Sequence, residues 1–261
     1  MPAAFDQSIF YITHLYPKQM SIYGDMGNIL AMQHMLDKLG WPWKYQTVDI
    51  GQNLPLKTDW YFIGGGQDAD QIVVAQDMIR KKEALAKQIE DGVAIMAICG
   101  GYQMLGQEFI TGSGNTILGL NILPIKTIAF DKKTKSRCIG NIVINSNLLE
   151  CHLVGFENHS GQTYFTSATA QPLGTVSVGY GNNFDDKVEG CVHKNVIGTY
   201  LHGSCLPKNP ELTMWFINQV ADQKTKRNQM SHELYFKIKS NKTDNTISKA
   251  TKESLIKRFL K

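Results

Sequence analysis

The chain has little with which to cross-link itself. Its five cysteines in 261 residues (Cys99, Cys138, Cys151, Cys191, Cys205) are odd in number and scattered, with no C-x-x-C pair and no histidine at zinc-finger spacing. That excludes a disulfide scaffold and a structural zinc site as the basis of the fold. Cys191 and His193 flank a single valine, but without a second pair of ligands no metal is expected. Also lacking is any apolar run approaching the roughly 18–20 residues that cross a bilayer. The N-terminal MPAAFDQSIFYITHLYP carries an acid ahead of its apolar stretch and no basic segment, so it reads as a first strand and not a secretion signal. A cytoplasmic protein is the expectation.

What is present is an ordinary globular composition, 43% hydrophobic and 19% charged, with enough length for one large core. Charge is unevenly placed. From Lys224 onward 11 basic residues face 3 acidic ones, a net +8, whereas the preceding body carries −4. Such a tail could seek an acidic partner or the anionic inner face of a membrane; as a charge run alone it reads as a solvated helical extension.

Hydrophobic periodicity predicts an α/β domain. Strand-like runs at 8–17, 43–50, 59–66 and 93–98 alternate with helical patterns at 29–40 and 68–92, the alternation that builds a mainly parallel central sheet. VAIMAI (93–98) is the continuous apolar run that a strand covered on both faces requires. Short β-like runs at 123–130, 138–144, 174–181 and 190–203 suggest antiparallel additions before a helix at 209–222. A last helix is expected over 247–260, with Ile247, Leu255, Ile256 and Phe259 as its apolar members. The organisation read here is one domain over 1–222 and a basic, partly helical extension over 223–261.

The chemistry gathers at AIMAICGGYQMLGQ (94–107). A strand, one nucleophile, small residues and then a helix is the pattern of a nucleophile elbow. Gly100 and Gly101 permit a sharp turn and close approach. The amides opening the next helix would favour a thiolate at Cys99, and the Gly100 amide could face an oxyanion. FIGGGQD supplies further amide donors at Gly65 and Gly66, at what should be the same sheet edge. For the base, His202 ends the apolar strand VIGTYLHG, and His159 in GFENHSG is its rival.

These segments carry a resemblance. AICGGYQMLG resembles the nucleophile segment of the class I (triad) glutamine amidotransferases, more closely the branch containing the cobyric acid synthases. FIGGGQD, GFENHSGQTYF, GYGNN and GTYLHGSCLPKNPE, in this order, are similar to the GatD-type glutaminase subunits of lipid II isoglutaminyl synthases. The resemblance spans about residues 8–222 and implies the flavodoxin-like three-layer fold of that class. It implies Cys99 as the nucleophile on the glutamine amide and His202 as its proton relay. Arg137 would hold the substrate carboxylate, and Gln103 would line the glutamine pocket. The amides of Gly65, Gly66 and Gly100 would form the oxyanion hole. It implies no cofactor in this chain. ATP, with Mg, would belong to a MurT-type Mur-ligase-like partner, in a 1:1 heterodimer that amidates lipid II at the inner face of the membrane. One departure stands out: where many members carry an acid two residues after the histidine, this chain has Ser204. The expectation is a dyad completed by an acid of the partner, with Glu211 as an alternative in cis. The other readings are a cobyric-acid-synthase-like amidotransferase, a Cys–His peptidase and a non-catalytic binding module.

Overall fold

The computed structural model describes residues 9–22, 24–111, 114–129, 137–241 and 246–259. The chain begins with β1 (Phe10–Leu15), α1 (Met26–Leu39), β2 (Trp43–Val48), β3 (Trp60–Ile63), α2 (Asp68–Glu90), β4 (Ala94–Ile98) and α3 (Gly100–Leu105). Ile29, Met32, Leu36 and Leu39 form the buried stripe of α1, with Met35, and Gly40 closes the helix in the left-handed conformation at φ +66°. In β4 all five side chains are buried; because neighbours on a strand point to opposite faces, the sheet is covered on both.

The middle of the chain contributes β5 (Glu108–Ile110), β6 (Thr116–Leu118), β7 (Ile125–Ala129), β8 (Cys138–Ser146), β9 (Cys151–His159), β10 (Gly161–Phe165), β11 (Gly174–Val178) and β12 (Val188–Glu189). Then come β13 (Cys191–His193), β14 (Val196–Thr199), α4 (Cys205–Lys208), α5 (Pro210–Lys226), α6 (His232–Ser240) and α7 (Thr246–Phe259).

The central sheet has the order β13-β14-β4-β3-β1-β2. All its pairings are parallel except the β13–β14 hairpin. The run 190–203, read as one strand, is broken at Lys194, which takes φ +54° in the hairpin turn. The connection reverses direction between β1 and β3, the switch point at which α/β sheets open a crevice beyond their carboxyl ends. The middle of the chain forms two four-stranded sheets of its own, β10-β7-β5-β6 and β12-β11-β8-β9, antiparallel except for the parallel β5–β7 pair. Isolated bridges at Phe156–His202 and Gln171–Val192 tie this part to the residues of the central sheet.

The C-terminal extension is helical and folds back on the body. Helix α6 packs on α5, and α7 lies against α4, β8 and β9. Lys252 of α7 is buried and pairs with Glu211 of α5 at 3.0 Å. The side chains of Ile247 and Phe259, and residues 8, 130 and 260 at the ends of expected elements, lie outside the described residues.

Candidate active site

Cys99 stands at the carboxyl end of β4 with φ +50° and ψ −107°. A non-glycine residue pays for that conformation in strain, and it persists only where the surroundings fix it. Here they do: the Cys99 amide donates to Thr199 O at 2.9 Å, its carbonyl accepts from Gln103 N at 2.9 Å, and Gly101 N donates to Gly64 O at 3.2 Å. The two glycines after it are closely packed, Gly100 against side chains and Gly101 against backbone. A Cβ on Gly100 would lie 2.6 Å from Gln71 Nε2, and one on Gly101 2.9 Å from Gly64 O.

His202 follows β14 and is held by a two-way backbone bridge to Phe156, with N···O distances of 2.8 and 3.2 Å. Gly203 turns the chain away at φ +73°. The two side chains named from sequence converge on one glycine. A Cβ placed on Gly65 would be 3.3 Å from His202 Cε1 and 3.4 Å from Cys99 Cβ. Burial lowers the His202 imidazole from its usual range to about 4, so at neutral pH it is uncharged and able to accept a proton.

Beside Cys99 lies a cavity of about 480 Å³ whose walls include Gly66, Gln71, Gln103, Arg137, Asn158 and His159. Arg137, exposed at the mouth, donates from Nη2 to Asn158 Oδ1 at 3.0 Å. Gln103 is buried with its Nε2 directed to Tyr200 Oη at 3.1 Å. His202 is not among the residues that line this cavity.

The rival histidine is built into the wall. His159 stacks on Tyr200 with ring centres 3.6 Å apart and planes at 8°. Its Nδ1 lies 2.7 Å from Gly161 O; a carbonyl only accepts, so Nδ1 carries the proton. Burial lowers this imidazole to about 3.

One expectation is corrected. The Gly65 amide, read as an oxyanion donor, donates instead to Asp25 Oδ2 at 2.7 Å, and the Gly64 amide is bonded to Met20 O at 3.1 Å. Gly66 has its carbonyl fixed by Gln71 Nε2 at 2.9 Å. Among the described residues no hydrogen bond from the Gly66 or Gly100 amide is found. The one acid proposed in cis, Glu211, is paired with Lys252 at 3.0 Å, and Ser204, which stands where many members carry the acid, donates its Oγ hydrogen to Gly24 O at 2.6 Å. Among the described residues no three His, Cys, Asp or Glu side chains are grouped to hold a metal, and none of the helices is long and apolar enough to cross a membrane.

Sequence reasoning missed Asp25, Gln71 and Tyr200. Asp25 lies in the loop after β1, fully buried, and desolvation pushes its carboxyl up to about 7. In YGDMGN an acid beside two glycines looks like a solvated loop residue. Its only signal is that the loop ends at the switch point.

A strained cysteine at a strand–helix elbow, an uncharged buried histidine near it and an arginine at the edge of the adjoining cavity are groups suited to nucleophilic acyl transfer. The model of the CobB/CobQ-like glutamine amidotransferase domain matches residues 11–210, and the chain belongs to that family: it is a glutamine amidotransferase. Within it, the chain is 40% identical over 216 residues to the GatD subunit of lipid II isoglutaminyl synthase (glutamine-hydrolysing) from Staphylococcus aureus, covering 82% of this chain and 85% of that one. It is 39% identical over 220 residues to the GatD subunit from Streptococcus pneumoniae, covering 82% and 81%. A probable cobyric acid synthase from Methanococcus vannielii is 32% identical over 189 residues, but the match spans only 37% of that longer protein. Among solved structures, a glutamine amidotransferase superposes with a TM-score of 0.55 at 14% identity, over 80% of this chain and 98% of that one. A chain of the PurLQS structure from Thermotoga maritima gives 0.52 at 13% identity, over 84% and 99%. These two speak to the fold.

Proposed function

We propose that the chain is the glutamine-hydrolysing subunit of a lipid II isoglutaminyl synthase. The observation that carries the reading is the convergence of Cys99 and His202 on Gly65, beside a cavity with Arg137 at its mouth. To this is added about 40% identity to GatD subunits over more than four-fifths of both chains.

In this reading L-glutamine enters with its α-carboxylate on Arg137, whose planar fork suits a carboxylate. His202 takes the Cys99 proton, and the sulfur attacks the side-chain carbonyl carbon. The carbonyl oxygen, now an anion, accepts hydrogen bonds from the Gly66 and Gly100 amides; one such donor is worth roughly 3 kcal/mol in the transition state. The C–N bond breaks as the imidazolium returns its proton to the leaving nitrogen, giving ammonia and a thioester on Cys99. Water, deprotonated by His202, then cleaves the thioester to glutamate and restores the thiol.

Ser204 has no carboxylate to offer the imidazolium formed in the first step, and Glu211 is engaged by Lys252. An acid from the partner would stabilise it and tie glutamine hydrolysis to the assembled complex. That partner is a MurT-type, Mur-ligase-like subunit that uses ATP and Mg. It activates the α-carboxylate of D-glutamate in the lipid II stem peptide, which ammonia converts to D-isoglutamine at the inner face of the membrane. The experiment is amidation of lipid II by the two subunits together. Cys99→Ala should abolish amidation supported by glutamine and leave amidation supported by added ammonium intact. Loss of both, or of neither, contradicts the division of labour.

A further inference from the structure

A second cavity opens at the amino ends of the central strands, the end of the sheet opposite Cys99. It encloses about 290 Å³ between the loop ahead of β3, the start of β1 and the end of α5, at the small end of the roughly 300–1,000 Å³ range of ligand pockets. Three of its wall residues, Lys57, Lys224 and Arg227, are cations, and among the described residues that line it Asp59 is the one acid. That acid is already engaged: Asp59 Oδ1 lies 2.9 Å from Lys224 Nζ, and Oδ2 accepts from Tyr11 N at 2.8 Å. Lys224 is buried, and Arg227 is anchored through Nη2 to the Asp91 carbonyl. These bonds use one N–H of each, where an ammonium has three and a guanidinium five. Lys44 adds a cation beside the wall, its Nζ 5.9 Å from the centre of the Tyr11 ring. A recess with two positive charges in excess suits an anion with several oxygens, a phosphate group above all.

At its rim an apolar side chain is held out in water. Leu56 is 100% exposed, and its loop is tied on both sides of it. The Pro55 carbonyl accepts from Gln88 Nε2 at 2.9 Å, and the Lys57 carbonyl from Gln46 Nε2 at 2.8 Å. Phe236 of α6 is 66% exposed at the same end of the molecule. Its neighbour Tyr235 donates to Asp222, near the end of α5, at 3.1 Å, and a Cβ on Gly40, just ahead of β2, would lie 3.1 Å from Lys237 Nζ. A stable protein interface is a broad, continuous patch. Single apolar side chains standing among cations, beside a recess for a phosphate, fit the surface of a bilayer.

We propose that the amino end of the central sheet docks on an anionic phospholipid bilayer. A headgroup phosphate occupies the recess of Lys57, Lys224 and Arg227, and Leu56 enters the acyl boundary beside it. Lys224 and Arg227 open the stretch that carries a net +8, so part of that charge has a ligand site. The inference stands apart from the glutaminase reading.

The test is co-sedimentation of the full chain with vesicles of phosphatidylcholine, alone or mixed with phosphatidylglycerol. The chain is expected to pellet with the mixed vesicles only. Lys57→Gln combined with Arg227→Gln should lower the partition coefficient roughly 20–30-fold, at about fivefold for each basic residue at the surface. Leu56→Asn should lower it about tenfold. Lys257→Gln combined with Arg258→Gln removes the same charge from α7 and should cost less than about threefold, since charge more than a Debye length from the lipid is screened. All these variants should keep the melting temperature of the wild type and its ammonia release in the assembled complex. Equal losses in the two double variants would show that diffuse charge holds the vesicle, and would overturn the proposal. Pelleting with both kinds of vesicle alike, or with neither, would also overturn it. A melt raised by inorganic phosphate in a chain that ignores both vesicles would identify free phosphate as the ligand and rule out the bilayer.

Discussion

Two neighbouring glycines allow packing and chemistry to be separated by single methyl groups. At Gly65 an added Cβ would meet His202 Cε1 at 3.3 Å and both Cys99 Cβ and Ile22 Cγ1 at 3.4 Å. These contacts are tight but can be relieved by movements of a few tenths of an ångström. At Gly64 the same atom would lie 2.5 Å from Asp25 Oδ2 and 2.5 Å from the Met20 carbonyl, and the backbone cannot yield so easily. Gly65→Ala therefore pushes the thiol and the imidazole apart without disturbing the core. Since a misplacement of about 1 Å costs roughly 100-fold in rate, a few tenths should cost about 3–10-fold in kcat. Its melting temperature should stay within about 2 °C of the wild type. Gly64→Ala is an overpacking change that costs roughly 1–3 kcal/mol, or about 2–4 °C per kcal/mol for a chain of this size. The assays are ammonia release from glutamine by the assembled complex and a thermal melt of each variant. Full turnover in Gly65→Ala would refute the placement of Cys99 and His202 around that glycine.

Other consequences follow from the same geometry. Arg137→Lys replaces a planar fork with a point charge and should raise KM for glutamine roughly tenfold with kcat little changed; steady-state kinetics with an unchanged KM would remove Arg137 from the substrate site. Asp25→Asn tests the buried carboxyl at about 7. Because its folded value lies above its unfolded one, near 4, the stability it contributes is complete below about pH 4 and is lost as pH rises through about 7. The variant should thus gain on the wild type by up to roughly 4 kcal/mol between pH 4 and 8, read from urea melts; a gap that does not change with pH contradicts the burial argument. The buried imidazoles of His159 and His202, lowered to about 3 and about 4, act with the opposite sign. Their contribution is complete above about pH 6.5 and is lost as pH falls through the lowered values. Ending the chain at residue 241 removes α7 and the Lys252 that lies 3.8 Å from Cys151 Sγ. Alkylation of Cys151 should then quicken several-fold while glutaminase activity persists; loss of activity would make α7 part of the working enzyme.

The central sheet was legible because burial on both faces writes itself as runs such as WYFI and AIMAI, bounded by glycines that stop the strand. Strand β9, CHLVGFENH, was not. Its Glu157 is buried because its two oxygens accept from Tyr180 N at 2.8 Å and Gly181 N at 2.9 Å, and no local pattern reveals partners more than twenty residues away. The same applies to the site. Cys99 and His202 follow apolar strands and can be found from the sequence pattern, whereas His159 is set apart from His202 by contacts that form after folding, its ring stack with Tyr200 and its Nδ1 bond to Gly161 O. The Gly65 amide was assigned to the oxyanion because glycines at a sheet edge are open. That Asp25 claims it depends on a loop from the other side of the switch point.

The most direct test of the account is chemical. Treated with a glutamine analogue carrying an electrophile at the side-chain carbonyl position, the chain should be modified once, on Cys99, as read by mass spectrometry of its peptides. Excess glutamine should protect it, and Cys99→Ala should abolish labelling with the melting temperature preserved. Labelling spread over Cys138, Cys151, Cys191 and Cys205, or none that glutamine suppresses, would contradict a nucleophile at the end of β4.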